Sequence, residues 1–348
     1  MYGGQTVGVV VPAYNEEGFV GDVIDSLPTF VDRAYVIDDA SVDNTWAEIR
    51  EHATVSRPPR GGPAVASGGA SPPAGNPLSS DQDEAAVDPQ RADGEGTYVV
   101  AIRHEENRGA GGAIKTGYLA ARKDHVDVTV TIDADGQMDP KMMTQFIDPI
   151  VAGDADYTKG DRLASREFRD DMPTFRQTGN IILTGLTRIA SGYWELSDPQ
   201  NGYTAISLAA LEAVDISSMY EYYGYCNDLL VKLNVAGMRV VDVPMQANYG
   251  DEESSINYFD YIPKVSLMLL RNFFWRLATR YRTRPTGIAY AIGFLGFLAT
   301  IVNSFRSLGS RNDQAANSND DDYGILFSLL VAVSGVVAGI IFDRRENP

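Results

Sequence analysis

A single cysteine, Cys226, is all the thiol chemistry this 348-residue chain carries. No intrachain disulfide and no thiolate metal cluster can form, which fits a reducing compartment. Histidine is nearly as scarce, and His52, His104 and His125 show no metal-site spacing. Positive charge is short too, with 29 Lys and Arg against 47 Asp and Glu and a formal net charge of -18. Duplex binding needs clustered cations to neutralise phosphates, so no nucleic acid partner is expected. Such an excess of carboxylates keeps a protein soluble in a salt-rich cytoplasm, a halophile-like balance of the kind found in archaea. No cleavable signal precedes the first apolar run, so the N-terminal domain is expected to stay in the cytoplasm.

What is present alternates. Thr6 to Pro12, Arg33 to Ile37, Thr97 to Ile102 and Val126 to Ile132 read as strands, with helices predicted over Glu16 to Leu27, Asn44 to Glu51 and Gly109 to Lys123. That order predicts an α/β domain with a mainly parallel central sheet. Residues 52–96 break the pattern: they are crowded with Pro, Gly, Ala and Ser and are expected to form a disordered insertion. Beyond Asp139 the chain predicts a helix opened by Pro140, a long helix from Pro173 to Ala190, and another from Tyr225 to Ala236 stopped by Gly237. Gly202 to Ser207 and Arg239 to Val243 read as the strands that complete the sheet.

Two apolar runs, 285–304 and 323–342, contain no Asp, Glu, Lys or Arg and are each about 20 residues long, the length of a bilayer span. They predict a two-helix transmembrane hairpin over 285–348, with the connector RNDQAANSNDDD outside and both basic flanks in the cytoplasm. The preceding segment, 258–284, carries Arg271, Arg276, Arg280, Arg282 and Arg284 among Phe273, Phe274 and Trp275. It reads as an amphipathic helix lying along the membrane surface, arginines among the head groups. The remaining 1–257 is the expected catalytic domain.

Four motifs follow four predicted strands in succession: Pro12-Ala13-Tyr14-Asn15-Glu16, Asp38-Asp39, Asn107-Arg108-Gly109 and Asp133-Ala134-Asp135. The carboxyl ends of parallel strands line one crevice, so the four should converge. Asp133 and Asp135 sit two apart at the end of an apolar run, where strand periodicity sends both carboxylates to one side. Carboxylates aimed together require a cation, and oxygen ligands of this kind suit Mg²⁺ or Mn²⁺ completed by diphosphate. Asn107 to Lys115 opens a helix with glycines, so free N–H groups together with Arg108 and Lys115 are expected to hold diphosphate. The block is neither GxGxxG nor GxxxxGK[ST], against dinucleotide binding and P-loop chemistry. Asp38 and Asp39 are placed to accept from a base N–H or a ribose hydroxyl, while Asp43 suits helix capping. Tyr14 and Glu16 close the opposite wall, with Asn15 either lining it or capping the following helix.

These blocks, VVVPAYNEE, VIDDASVDNT, NRGAGGAIKTGY and TIDADGQMDP, resemble the nucleotide-sugar-binding blocks of family 2 glycosyltransferases, specifically the dolichyl-phosphate mannose or glucose synthase branch. The resemblance implies a GT-A nucleotide-sugar-binding domain, a UDP- or GDP-hexose donor bound by Pro12, Tyr14, Glu16, Asp38, Asp39, Arg108, Gly109, Lys115 and Asp133, and metal on Asp133 and Asp135 with help from Gln137. It further implies inversion at the anomeric carbon and transfer to a polyprenyl (dolichyl) phosphate for protein glycosylation. KGDRL and TFRQTGN are similar to places where these synthases keep acceptor-phosphate arginines, which selects Arg162 and Arg176. SDPQNGYTAIS resembles the block Asp-x-x-x-Gly-Phe-Arg with Asp198, Gly202 and Tyr203 in register, Thr204 replacing the Arg. Asn227-Asp228 stands where relatives carry an acidic pair, and YGDEESSI lacks the usual Arg and Lys of the lid. A phosphate acceptor is already ionised, whereas a sugar hydroxyl on a lipid-linked or surface glycan needs a base, Asp228 or Asp198. Asp135, Arg162, Asp198 and Asp228 are therefore the residues expected around the reacting atoms. A nucleotidyltransferase would need an N-terminal glycine-rich loop, and a silent scaffold would not need these groups at all.

Overall fold

The protein is described as a computed structural model covering residues 1–54, 97–164, 174–245, 258–310 and 318–347. Its strands are β1 (Val7–Ala13), β2 (Arg33–Asp38), β3 (Tyr98–Arg103), β4 (Val128–Thr131), β5 (Tyr157–Asp161), β6 (Thr204–Ser207) and β7 (Val240–Pro244). They form one seven-stranded sheet in the order β3-β2-β1-β4-β6-β5-β7. All pairings are parallel except those of β6, which runs antiparallel to both β4 and β5. The sheet is therefore mixed and mainly parallel, as the alternation of strands and helices predicts. β1 reads VGVVVPA without polar alternation because both of its faces are covered, and Val7, Val9, Val10 and Val11 are wholly buried.

Helices α1 (Val20–Asp25), α2 (Thr45–Thr54), α3 (Ala110–Lys123) and α4 (Met143–Val151) accompany these strands. The first is shorter than the apolar spacing predicts. The amides of Glu16, Glu17 and Gly18 donate instead to Thr45 Oγ1, Asp43 Oδ2 and Glu48 Oε2 at 2.7, 3.3 and 2.8 Å. Those loop contacts win over a first helical turn. Residues 52–54 complete α2 rather than starting the insertion, and residues 55–96 lie outside the described residues. β5 was not legible as a strand because Lys159 and Asp161 look like loop residues. Lys159 is in fact buried and bonds at 2.9 Å to Asp242, its register partner on β7. A buried charge paired across a ladder breaks the apolar pattern without breaking the strand.

By packing, the chain divides into two units. One is the sheet unit, Met1–Met172, Ser197–Leu229 and Met238–Ile256, which also carries the short α6 (Leu208–Ala213). The other gathers Pro173–Leu196, Leu230–Gly237 and Asn257–Pro348. Thus α5 (Thr174–Ser191) and the end of α7 (Tyr225–Ala236) group with α8 (Tyr258–Arg280), α9 (Pro285–Ser310) and α10 (Ser318–Glu346), whereas the expected boundary fell at 257. Ala190, Val231, Val265 and Leu269 form that unit's apolar cluster.

Within this second unit, α9 and α10 contain apolar stretches of 23 and 24 residues with mean hydropathy 1.8 and 2.7, each 22% buried. Both are long and apolar enough to cross a membrane. They meet through small residues, since a Cβ on Gly293 or Gly296 would reach the backbone of Val336 or Ala332 at 2.8 or 2.6 Å. Thr300 Oγ1 donates to Ser328 Oγ at 3.0 Å, and Asn303 donates to the Gly324 carbonyl at 3.1 Å. On α8, Leu267, Leu270, Phe274 and Trp275 are exposed. Its arginines do not all face outward as expected: Arg276 is fully buried and holds Asp343 of α10 in a two-pronged bridge of 3.0 and 2.7 Å. Arg280 likewise bonds Asn234 Oδ1 at 2.8 Å. A buried carboxylate at the end of an apolar helix needs a cation more than a head group does.

Candidate active site

In the sheet unit, β3, β2, β1 and β4 lie side by side and parallel, so their four following motifs share one edge. Asp38 closes β2. It accepts the Ser41 amide at 2.9 Å and meets Arg103 Nε, its register partner on β3, at 3.0 Å. Asp39 is 2% exposed, its Oδ1 taking the Arg108 amide at 2.9 Å and lying 2.7 Å from His104 Nδ1. His104 Nε2 in turn lies 2.9 Å from Thr116 Oγ1 on α3. The sequence offered no signal for His104 beyond its place just after β3. Across the crevice Tyr14 is exposed, and Asn15 caps no helix: its Oδ1 accepts the Val42 amide at 3.0 Å, tying the Pro12-to-Glu16 loop to the loop after β2. Asp43 accepts the Thr45 amide at 3.0 Å at the start of α2, as its position suggested.

The glycine-rich opening of α3 is not bare. The chain's own segment Tyr220–Tyr222 lies against it, with the Gly112 amide donating to the Glu221 carbonyl at 2.8 Å. Any Cβ on Gly111 would meet the Tyr220 carbonyl oxygen and Tyr225 Cβ, so the close approach requires glycine there. Arg108 and Lys115 are both paired with Glu221 Oε1, the first at 2.6 Å, and Lys115 Nζ also donates to the Ser217 carbonyl at 3.2 Å. Burial works against the Glu221 charge, yet Lys115 and Arg108 hold its carboxyl below the ordinary range. Glu221 carries no sequence signature; tertiary packing alone brings it here.

The Asp133–Asp135 pair differs in one respect from expectation. β4 stops at Thr131, so the pair sits on a turn, not a strand, and strand alternation is not what orients it. The turn is fixed by the Gln137 amide, which donates to Asp135 Oδ1 at 2.9 Å. Burial, and then the charge of Asp135, push the Asp133 carboxyl up from 3.8 to about 7, with Arg162 opposing. Desolvation and a like charge together disfavour the ionised form. Gly202 forms its wall: a Cβ there would sit 3.3 Å from Asp133 Oδ2 and 3.4 Å from the Tyr225 hydroxyl.

Next to it, Arg162 just beyond β5 grips Asp198 through Nε at 2.7 Å and Nη2 at 3.1 Å. Asp198 is buried, which disfavours its charge, but Arg162 overrides this and holds its carboxyl below the ordinary value. A carboxylate so held is a poor base at neutral pH. Asp228, in the first turn of α7, is 4% exposed and accepts the Tyr220 amide at 3.0 Å. Thr204, standing where the family block has Arg, is buried in β6 with its Oγ1 3.4 Å from the Tyr118 hydroxyl, so it packs inward. Arg176 belongs to α5, but its side chain lies outside the described residues, as do those of YGDEESSI.

Taken together, the sheet edge holds two neighbouring carboxylates, an arginine-held third and a glycine wall, at the strand ends where open α/β sheets bind their ligands. Residues 8–66 and 79–215, more than half of the chain, match the family model Glycosyl transferase family 2, and the chain belongs to that family. It is therefore a glycosyltransferase. It is 27% identical over 242 residues to the UDP-N-acetylglucosamine–dolichyl-phosphate N-acetylglucosaminyltransferase of Methanococcus voltae, covering 69% of this chain and 85% of that protein. It is 26% identical to the undecaprenyl-phosphate mannosyltransferase of Micrococcus luteus, covering 68% and 81%. Glycosyltransferase AglD of Haloferax volcanii is 27% identical over 58% of this chain and 31% of that longer protein. Among solved structures, glucosyl-3-phosphoglycerate synthase from Mycobacterium tuberculosis, bound to Mn²⁺, UDP and glucosyl-3-phosphoglycerate, aligns at a TM-score of 0.48 and 18% identity, covering 78% and 80%.

Proposed function

We propose that the protein is an inverting, membrane-anchored hexosyltransferase that moves a sugar from a UDP- or GDP-sugar onto a polyprenyl phosphate such as dolichyl phosphate, for use in protein glycosylation. The observation that carries it is the Asp133–Asp135 pair, with the Asp133 carboxyl raised to about 7 beside Gly202 and Arg162. The names of its relatives, which specify dolichyl-phosphate and undecaprenyl-phosphate sugar transfer, point to the acceptor. The apolar α9 and α10 support a membrane location. Basic residues at both outer ends of the hairpin support a cytoplasmic sheet unit.

The donor set fits a hard divalent ion. Asp133 and Asp135, helped by Gln137, would hold Mg²⁺ or Mn²⁺, with diphosphate oxygens completing its shell. Bound there, the ion supplies positive charge to the departing nucleoside diphosphate. The chain's own groups do the rest. Asp38 and Asp39 receive the base or ribose, Pro12, Tyr14 and Glu16 line the nucleoside, and Arg162 positions the acceptor phosphate. The acceptor oxygen attacks the anomeric carbon from the face opposite the diphosphate, whose bond to that carbon breaks and whose oxygen keeps the electron pair. An ionised phosphate needs no base, which matches an Asp198 already committed to Arg162.

The decisive test is transfer in membranes from labelled UDP- and GDP-sugars with Mg²⁺ or Mn²⁺, followed by lipid extraction. Label in a mild-acid-labile polyprenyl phosphate supports the proposal. Label only on larger glycans overturns the phosphate acceptor and assigns Asp228 as the base for a hydroxyl.

A further inference from the structure

The glycines and cations that open α3 face part of the chain itself. Gly112 donates to the Glu221 carbonyl, Gly111 leaves room for Tyr220 and Tyr225, and Arg108 and Lys115 converge on one oxygen of Glu221. Lys115 is only 8% exposed, and its second bond, to the Ser217 carbonyl, holds the same segment one turn earlier. The segment leads to the reaction centre by two routes. Tyr220 donates its amide to Asp228, and the Tyr225 hydroxyl stands with Asp133 Oδ2 against Gly202.

We propose that the block Gly109–Lys115 is a clasp that positions Tyr220–Asp228, with Glu221 as its charged catch. On this reading Arg108, Lys115 and Glu221 are positioning residues that set turnover and leave the grip on the nucleotide to other groups. The clasp is built in at every level: a backbone hydrogen bond, glycines fitted to the opposing carbonyl, and two cations converging on one carboxylate. The Gly112 amide is thus spent on the chain's own Glu221 carbonyl rather than left for a diphosphate. The inference rests on the proposed centre at Asp133 and Asp228.

The test uses the full-length protein with Mn²⁺, taking UDP and GDP as calorimetric probes and turnover with whichever acceptor the wild type labels. Glu221→Gln and Lys115→Met are each expected to lower kcat on the order of tenfold, with nucleotide Kd changed by no more than about twofold. The double variant is expected to be no worse than about the worse single one, because both break one catch. Arg108→Gln, which leaves the Lys115–Glu221 contact in place, serves if either variant fails to fold, and is expected to lower kcat by less with Kd unmoved. A Kd weakened about tenfold or more in Lys115→Met would make these cations a diphosphate grip and overturn the proposal. A Kd tightened in Glu221→Gln would make Glu221 a plug that the donor displaces, and overturn it equally. So would unchanged kcat in both variants. Wild-type label on a hydroxyl acceptor would remove the phosphate-acceptor reading alone, since the separation of Kd from kcat is read with any acceptor.

Discussion

Replacing Asp133 with Asn should stabilise the metal-free protein while abolishing its activity. The Asp133 carboxyl has its ordinary value of 3.8 when unfolded and about 7 when folded. At about 1.4 kcal/mol per pH unit, keeping it ionised in the folded state costs about 4 kcal/mol. Solvent reaching this partly exposed side chain reduces that to about 2–4 kcal/mol. Between the two values the folded protein binds more protons than the unfolded chain, so wild-type stability falls as pH rises and the full cost is present above about 7. Asn carries no charge and escapes it. In EDTA at pH 8, Asp133→Asn should therefore melt several degrees above wild type, with the difference shrinking through pH 7 and vanishing toward pH 4. Excess Mn²⁺ with UDP or GDP should raise the wild-type melting temperature and leave the variant unmoved. A variant that melts lower at pH 8 in EDTA, or a gain equal at pH 5 and pH 8, would refute the reasoning.

Other substitutions separate chemistry from architecture. Asp135→Asn should abolish transfer with an unchanged far-UV circular dichroism spectrum; retained full activity would remove the metal assignment. Gly202→Ala puts a methyl group 3.3 Å from Asp133 Oδ2 and should cut kcat at least tenfold with a melting temperature within a few degrees of wild type. Arg162→Ala leaves Asp198 buried without its guanidinium partner, so it should destabilise by about 2–4 kcal/mol near neutral pH. Because Arg162 depresses the Asp198 value, that loss should fade as pH falls below the ordinary carboxylate range, as chemical denaturation across pH would show. Arg276→Ala should cost about 3–5 kcal/mol by stranding Asp343, whereas joint replacement by Met and Leu should restore most of it, as read by thermal unfolding in detergent. Deletion from Thr286 onward removes Asp343 and therefore should be tested in an Arg276→Met background, where loss of lipid transfer with retained UDP or GDP binding is expected.

By itself the sequence determined the parallel half of the sheet, the two apolar hairpin helices and the four strand-end motifs. These are local properties. A buried parallel strand such as β1 needs an unbroken apolar run, a bilayer-length helix needs its own composition, and residues placed just after such strands must share an edge. Tertiary structure alone decided what each charged group faces, because charge is compensated across space and leaves no periodicity. Lys159 hid a strand by pairing with Asp242, and Arg276 left the expected head-group layer for Asp343. Asp198 gave up basicity to Arg162, while Arg108 and Lys115, cations beside glycines on any linear reading, turned out to face Glu221 more than 100 residues away. The motif names the residues at the edge; the partner that desolvation forces on each one determines what it can do there.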